Sequence, residues 1–225
     1  MDLIVAGTPR SGSTMLASIL TNSDEGQVVA NEPRRDVSMK KEIRQAARWG
    51  VKHVRPAQIR AWSTMWKPPV GIVIVRDIRA SISSYVERVG ITPGIPPKRK
   101  RIMQKNRTQW VVDCSKYIAA SVQSGELVPG VPVSLVLKYE YMVQNPEVAI
   151  KQIEAVTGWK CNGDPGHHHK RDNRLGGRQY EAERHEGVIS AKSLDAWQDR
   201  KALPFEAEAA KECSEYQSVF GYERR

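Results

Sequence analysis

Long apolar runs are missing from this 225-residue chain, so no segment reads as a membrane-spanning helix. A basic region followed by an apolar stretch is also missing at the N-terminus, where a strand is expected from residue 2 or 3, and this argues against a secretory leader. Cysteine is scarce. Cys114, Cys161 and Cys213 are odd in number and widely spaced, which excludes a disulfide scaffold and a zinc-ligand spacing and points to reduced thiols in a cytoplasmic protein. There is no repeat and no low-complexity tract, and the length fits one α/β domain over residues 1–225. Acidic residues are sparse in the first part of the chain. Residues 1–120 hold 21 Lys and Arg against 9 Asp and Glu, a net +12, while the remainder holds 14 against 16. Such a field draws in polyanions: a nucleotide, an acidic substrate or nucleic acid. A solvated basic helix face is the plainer reading of the run Lys98-Arg99-Lys100-Arg101, with Lys105 and Arg107. No helix-turn-helix, zinc or RNA-binding signature accompanies the charge.

What the chain does have is alternation. Residues 2–6, 50–54, 71–75 and 133–137 read as buried parallel strands, two of them continuous β-branched runs. Helical stretches are expected at 13–22, 38–49, 56–65, 79–88 and 104–123. This pattern predicts a three-layer α/β/α fold around a central parallel sheet, with ligands at the carboxyl ends of the strands. Asn145-Pro146 should open a helix carrying Ala149, Ile153 and Val156 and closed by Gly158. Residues 160–190 are polar and glycine-rich and are expected to form a lid or substrate loop. A last helical region near 193–217 should pack Leu194, Trp197 and Leu203 onto the body.

Two stretches carry chemistry. The first strand runs into Gly7-Thr8-Pro9-Arg10-Ser11-Gly12-Ser13-Thr14 and then an apolar helix. A glycine-bearing strand-to-helix turn aims backbone N–H groups and the positive helix end at one point, an anion site. Its spacing is that of a Walker A loop, but Ser13 stands where a nucleotide triphosphatase needs lysine, and the loop's charge is at Arg10. The second stretch follows the strand 71–75: Arg76-Asp77-Ile78-Arg79, with Ser84 eight residues after Arg76. Arg76 at a strand end and Ser84 two helical turns on can meet one anion. Taken alone, the same residues also read as a structural Arg–Asp turn, and Asp77 as a metal ligand.

Taken together, the two stretches resemble the cofactor signature of the sulfotransferase family, whose fold is P-loop kinase-like and whose cofactor is 3′-phosphoadenosine-5′-phosphosulfate (PAPS). Lys138-Tyr139-Glu140-Tyr141-Met142 with Asn145-Pro146-Glu147, and Gly221-Tyr222, are similar to two further family segments. The resemblance implies that Arg10, Ser11, Gly12, Ser13 and Thr14 hold the 5′-phosphosulfate and that Arg76 and Ser84 hold the 3′-phosphate. Gly177 and Arg178, within Leu175–Tyr180, are similar to the family's glycine–basic stretch over that phosphate. It further implies SO₃ transfer to an acceptor hydroxyl or amine, with 3′-phosphoadenosine 5′-phosphate (PAP) as product and no catalytic metal. His167-His168-His169 lacks ligand spacing and reads as a loop.

Transfer of this kind needs cations at the leaving oxygen and a group to accept the acceptor's proton. Arg10 suits the first role by its place in the loop, and the resemblance adds Lys52, since relatives carry a lysine at the matching strand end. Glu32 and His53 compete for the second: Glu32 lies where the carbohydrate and tyrosylprotein branches carry a glutamate, whereas His53 is one residue away from the histidine of the small-molecule branch. An ion pair with Arg34 or Arg35 is the plainer role for Glu32. The polar and basic segments 34–48, 90–107 and 160–190 favour an anionic or sugar-like acceptor. Two other readings remain: a small-molecule kinase with a degenerate Walker A loop, which would need ATP and magnesium, and a basic nucleic-acid-binding module.

Overall fold

The structure is a computed structural model and describes residues 1–33, 45–90, 93–161, 194, 197–198 and 202–222. The strands are β1 (Leu3–Gly7), β2 (Gln27–Asn31), β3 (Arg48–His53), β4 (Val70–Val75), β5 (Glu126–Val128) and β6 (Val131–Lys138). The helices are α1 (Ser13–Leu20), α2 (Pro56–Trp66), α3 (Ile78–Gly90), α4 (Pro97–Ser124), α5 (Tyr139–Gln144), α6 (Pro146–Thr157), α7 (Pro204–Glu212) and α8 (Ser214–Val219). They build one six-stranded sheet in the order β2-β3-β1-β4-β6-β5.

Five of the strands run parallel, so their carboxyl ends gather along one edge, and β1 lies at the centre between β3 and β4. The departure from an all-parallel sheet is β5, which pairs antiparallel with β6 at the margin. Its cause is the tight turn at Pro129-Gly130, where Gly130 takes φ 82°.

Successive side chains on a strand point to opposite faces, and the core divides accordingly. Ile4, Ala6, Val51, Val73 and Val75 pack against α2, α3, α4, α7 and α8. Leu3, Val5, Ile72, Ile74 and Leu137 pack against α1, α5 and α6, with Trp159 fully buried beside them. A strand buried on both faces needs apolar residues at every position, and β1 has them throughout.

Three expectations shift. β2 is not among the expected strands; three small or β-branched residues between Gly26 and Pro33 suffice because β3 pairs with it along its whole length. The helix expected over 38–49 overruns a strand, since Arg48–Gly50 belong to β3; the rest of it lies mainly outside the described residues. Gly50 lets β3 lie this close to β1, because a Cβ there would stand 2.7 Å from the Leu3 carbonyl and side chain. Helix α4 starts early, at Pro97, and takes the basic run into its first turns.

The final helical region is two helices meeting at Cys213, and Leu203 packs against the α4 side of the sheet while Leu194 packs against the other. Helix α6 opens at Pro146 and ends at Gly158 in the left-handed region, as its sequence predicts, with Ala149 and Ile153 buried. All three cysteines are buried and free. Among the described residues no helix is long and apolar enough to cross a membrane.

Gly71 marks the tightest approach between strands: a Cβ there would collide with the Pro132 carbonyl oxygen and come within 2.9 Å of Leu127 Cδ1, where the β4–β6 register shifts. Gly71→Ala is expected to cost about 1–3 kcal/mol, read as a lowered urea midpoint at unchanged m-value.

Candidate active site

The β1–α1 loop has the geometry of an anion cradle. Gly12 sits in the left-handed region (φ 86°) as the α1 N-cap and supplies no side-chain cap. Leu16 is the first amide of the helix to find a backbone acceptor, the Gly12 carbonyl, which leaves the Ser13, Thr14 and Met15 N–H groups without a backbone acceptor among the described residues. Ser11 Oγ is buried and has no hydrogen-bond partner among the described residues. The Tyr139 ring closes the loop from beneath, so that a Cβ on Gly12 would lie 2.5 Å from Tyr139 Cδ2. Ser13 is buried and Thr14 half-buried at the helix start. A buried hydroxyl and unspent amides at the positive end of a helix fit a phosphosulfate group.

Arg76 is bound to this loop. Its Nη1 donates to the Arg10 carbonyl (3.3 Å), and its guanidinium lies 4.5 Å from the centroid of the Tyr139 ring. Burial lowers the Arg76 pKa, opposed by Tyr139 and Glu140 and reinforced by Arg10; the group stays charged, as guanidinium does in proteins. Arg10 in turn donates from Nε to Ser84 Oγ at 3.1 Å. The sequence assigns Arg10 to the loop and Ser84 to Arg76; the structure brings all three into contact at the carboxyl edge of the sheet.

Behind this cluster stands a brace that the sequence only partly announces. Glu140 accepts from the Asp77 N–H (3.0 Å) and from the Tyr222 hydroxyl (2.6 Å). The Tyr216 hydroxyl both donates to the Arg76 carbonyl (3.0 Å) and accepts from its N–H (3.2 Å). Thus the segments at 138–142 and 221–222 hold the backbone of the β4–α3 turn. Tyr216 was missed altogether, since a tyrosine on a terminal amphipathic helix carries no signal beyond core packing. Arg79 engages both Asp77 carboxylate oxygens, at 3.0 and 2.5 Å, which ties Asp77 into the turn.

On the other flank of β1, Glu32 and Lys52 form an ion pair at 2.7 Å, with Lys52 buried and Glu32 facing solvent. Arg34 and Arg35 lie outside the described residues. Partial burial raises the Glu32 pKa, but the Lys52 charge and hydrogen bond, with His53 and Arg55, outweigh it and hold the carboxyl below its usual range. Glu32 occupies the left-handed region (φ 49°), as does Arg10 (φ 67°). Non-glycine residues in that region carry strain of order 1–3 kcal/mol and cluster at functional sites.

His53 points to the other face of the sheet from Lys52: in register it faces Ala6, whereas Lys52 faces Val5. It stacks on Trp62, with centroids 6.0 Å apart and planes at 27°. Burial, opposed by Glu32 and assisted by Lys52 and Arg55, pushes its pKa down to about 4, so it is neutral at pH 7. Gly177, Arg178 and His167 to His169 lie outside the described residues.

No family model and no curated protein sequence matches the chain. Solved structures match along nearly its whole length, among them three sulfotransferases. The sulfotransferase domain of the Synechococcus PCC 7002 olefin synthase shares 13% identity at TM-score 0.64, covering 100% of this chain and 95% of its own. The sulfotransferase domain of the curacin biosynthetic pathway gives 14% and 0.64, covering 100% and 98%. A mouse sulfotransferase crystallised with PAP gives 16% and 0.65, covering 98% and 88%. The chain therefore has the sulfotransferase fold, an α/β architecture with a mostly parallel sheet between helical layers.

The buried, neutral His53 generates a pH dependence. Its folded pKa lies below the 6.5 of the free side chain, so stability is full above pH 6.5 and falls as acid protonates the unfolded chain first. His53→Leu should remove about 2 kcal/mol of the loss between pH 7 and pH 5, measured by urea denaturation of both proteins at each pH.

Proposed function

We propose that this protein is a sulfotransferase that moves SO₃ from PAPS to the hydroxyl or amine of a polar acceptor and releases PAP. The observation that carries the reading is the contact of Arg10, Arg76 and Ser84 at the mouth of a glycine loop, within a sulfotransferase fold. PAPS, when bound, supplies an activated sulfuryl group and a 3′-phosphate. The amides of the β1–α1 loop, with Ser11, Ser13 and Thr14, bind and orient the sulfate-bearing end. Arg76 and Ser84 take the 3′-phosphate, each charge-assisted hydrogen bond contributing roughly 1.5–3 kcal/mol.

Sulfuryl transfer, like phosphoryl transfer, builds negative charge on the leaving oxygen, and fixed cations there are the main catalytic resource. Arg10 fits that role, and Lys52 adds charge from the β3 end. Glu32 has the better geometry for the base. It faces solvent, is ionised at neutral pH, and holds Lys52 through Oε1, which leaves Oε2 for the acceptor's proton. His53 is turned onto Trp62 and is the weaker candidate. Ser13 in the place of the Walker lysine speaks against ATP turnover. The late glycine–basic stretch with Gly177 and Arg178 belongs to the same proposal as a cover for the 3′-phosphate.

Calorimetric titration with PAP, ATP–magnesium and a single-stranded oligonucleotide tests the reading. PAP is expected to bind, and at 100 times Kd to raise stability by about 2.7 kcal/mol, with no comparable effect from the other two. Arg76→Lys, which loses the bidentate fork, should weaken PAP binding about tenfold. Glu32→Gln should leave PAP affinity within about twofold and lower transfer from radiolabelled PAPS to hydroxyl and amine acceptors by about 10²-fold or more. Stabilisation by ATP–magnesium without PAP binding overturns the assignment.

A further inference from the structure

Resting on the sulfotransferase reading, we propose that Arg55 and Arg107 form an anion-binding wall of the acceptor site, so that the acceptor carries a carboxylate or sulfate besides the group it offers for transfer. Three elements meet to build this wall. Arg55 follows the end of β3 by two residues and is the N-cap of α2. Tyr85 is the neighbour of Ser84 on α3, and Arg107 and Trp110 stand one turn apart on α4.

The contacts among them are specific. The Arg55 and Arg107 guanidinium carbons lie 5.9 and 5.7 Å from the Trp110 ring centroid. Arg107 also lies 5.9 Å from the Tyr85 ring, and Tyr85 meets Trp110 edge-on, 5.6 Å apart at 88°. Neither arginine has an ion pair or side-chain hydrogen bond among the described residues. Arg79 and Lys52, by contrast, are matched with carboxylates, Asp77 and Glu32. Here two cations are held by aromatic faces alone. A ring face fixes a guanidinium in place without using its in-plane N–H donors, so both forks remain available to an oxyanion. Ordering of this kind reduces the side-chain entropy lost when a ligand binds. A basic surface serving only solubility gains nothing from ordered arginines.

The wall adjoins the chemistry. Ser84, next to Tyr85, is bonded to Arg10. The Arg55 charge acts on Glu32 and His53, and Tyr85 lies in the combined field of Arg107, Arg10 and Glu32. An acceptor anchored on Arg55 and Arg107 would thus present its other end toward Glu32 and the mouth of the loop.

Phenyl β-glucuronide and phenyl β-glucoside, which differ in a carboxylate against a hydroxymethyl group, are the probes. Each is titrated calorimetrically into the full chain with and without saturating PAP. The glucuronide should bind about tenfold or more tightly than the glucoside. In Arg55→Gln/Arg107→Gln the preference should fall to about one, with PAP affinity unchanged as the check on folding; Arg55→Gln alone should lose part of it. Equal binding of the two probes, no binding of the glucuronide, or a preference that survives in the double variant overturns the wall. PAP binding without a carboxylate preference sinks the wall alone, whereas a parent protein that does not bind PAP sinks the sulfotransferase reading and the wall's role with it.

Discussion

The guanidinium of Arg76 is the joint on which the candidate site depends. It lies across the gap between two strand–helix turns, one after β1 and one after β4, and ties them through the Arg10 carbonyl. Burying so strong a cation is costly unless its surroundings answer it. The Tyr139 ring does so from one side and the neighbouring Glu140 from a distance. In consequence α5, whose first residues are Tyr139 and Glu140, cannot be separated from the loop that it underlies. Gly12 must be glycine for the same reason, since the space for a side chain is already filled by the Tyr139 ring.

A parallel sheet gives such a joint its location. With β1 central and its neighbours in register, the ends of β3 and β4 flank the glycine loop symmetrically. Cations emerge on both sides: Lys52 from β3 and Arg76 from β4. They are treated differently. Lys52 is neutralised by Glu32 at 2.7 Å, while Arg76 donates to the Arg10 carbonyl and lies over the Tyr139 ring. In the proposed function the Lys52–Glu32 side of the cleft would handle the proton and the Arg76 side would hold the anionic donor.

Legibility followed the physics of each element. Strands β1 and β4, buried on both faces, have to be apolar at every position and were readable for that reason. β2 and β5 lie toward the margins, where half-burial relaxes composition, and both were missed. The Pro129-Gly130 turn that makes β5 possible was nonetheless present in the sequence. Arg10, Arg76 and Ser84 were readable because loop spacing fixes where they emerge, yet no spacing rule discloses that Arg10 touches Ser84. Sequence leaves Glu32 and His53 both open as the base; in space Glu32 pairs with Lys52, whereas His53 stacks on Trp62. Arg55 and Trp110 escaped notice because 55 residues of chain part them and only folding makes them neighbours.

The pair of hydrogen bonds between the Tyr216 hydroxyl and the Arg76 backbone spans 140 residues of sequence. Closing a loop of that length costs chain entropy, which the contact has to offset. During synthesis the turn that carries Arg76 thus leaves the ribosome long before its keystone does. A nascent chain lacking α8 has no Tyr216 to hold the Arg76 backbone, so the β4–α3 turn gains this brace only when the last helix has been made.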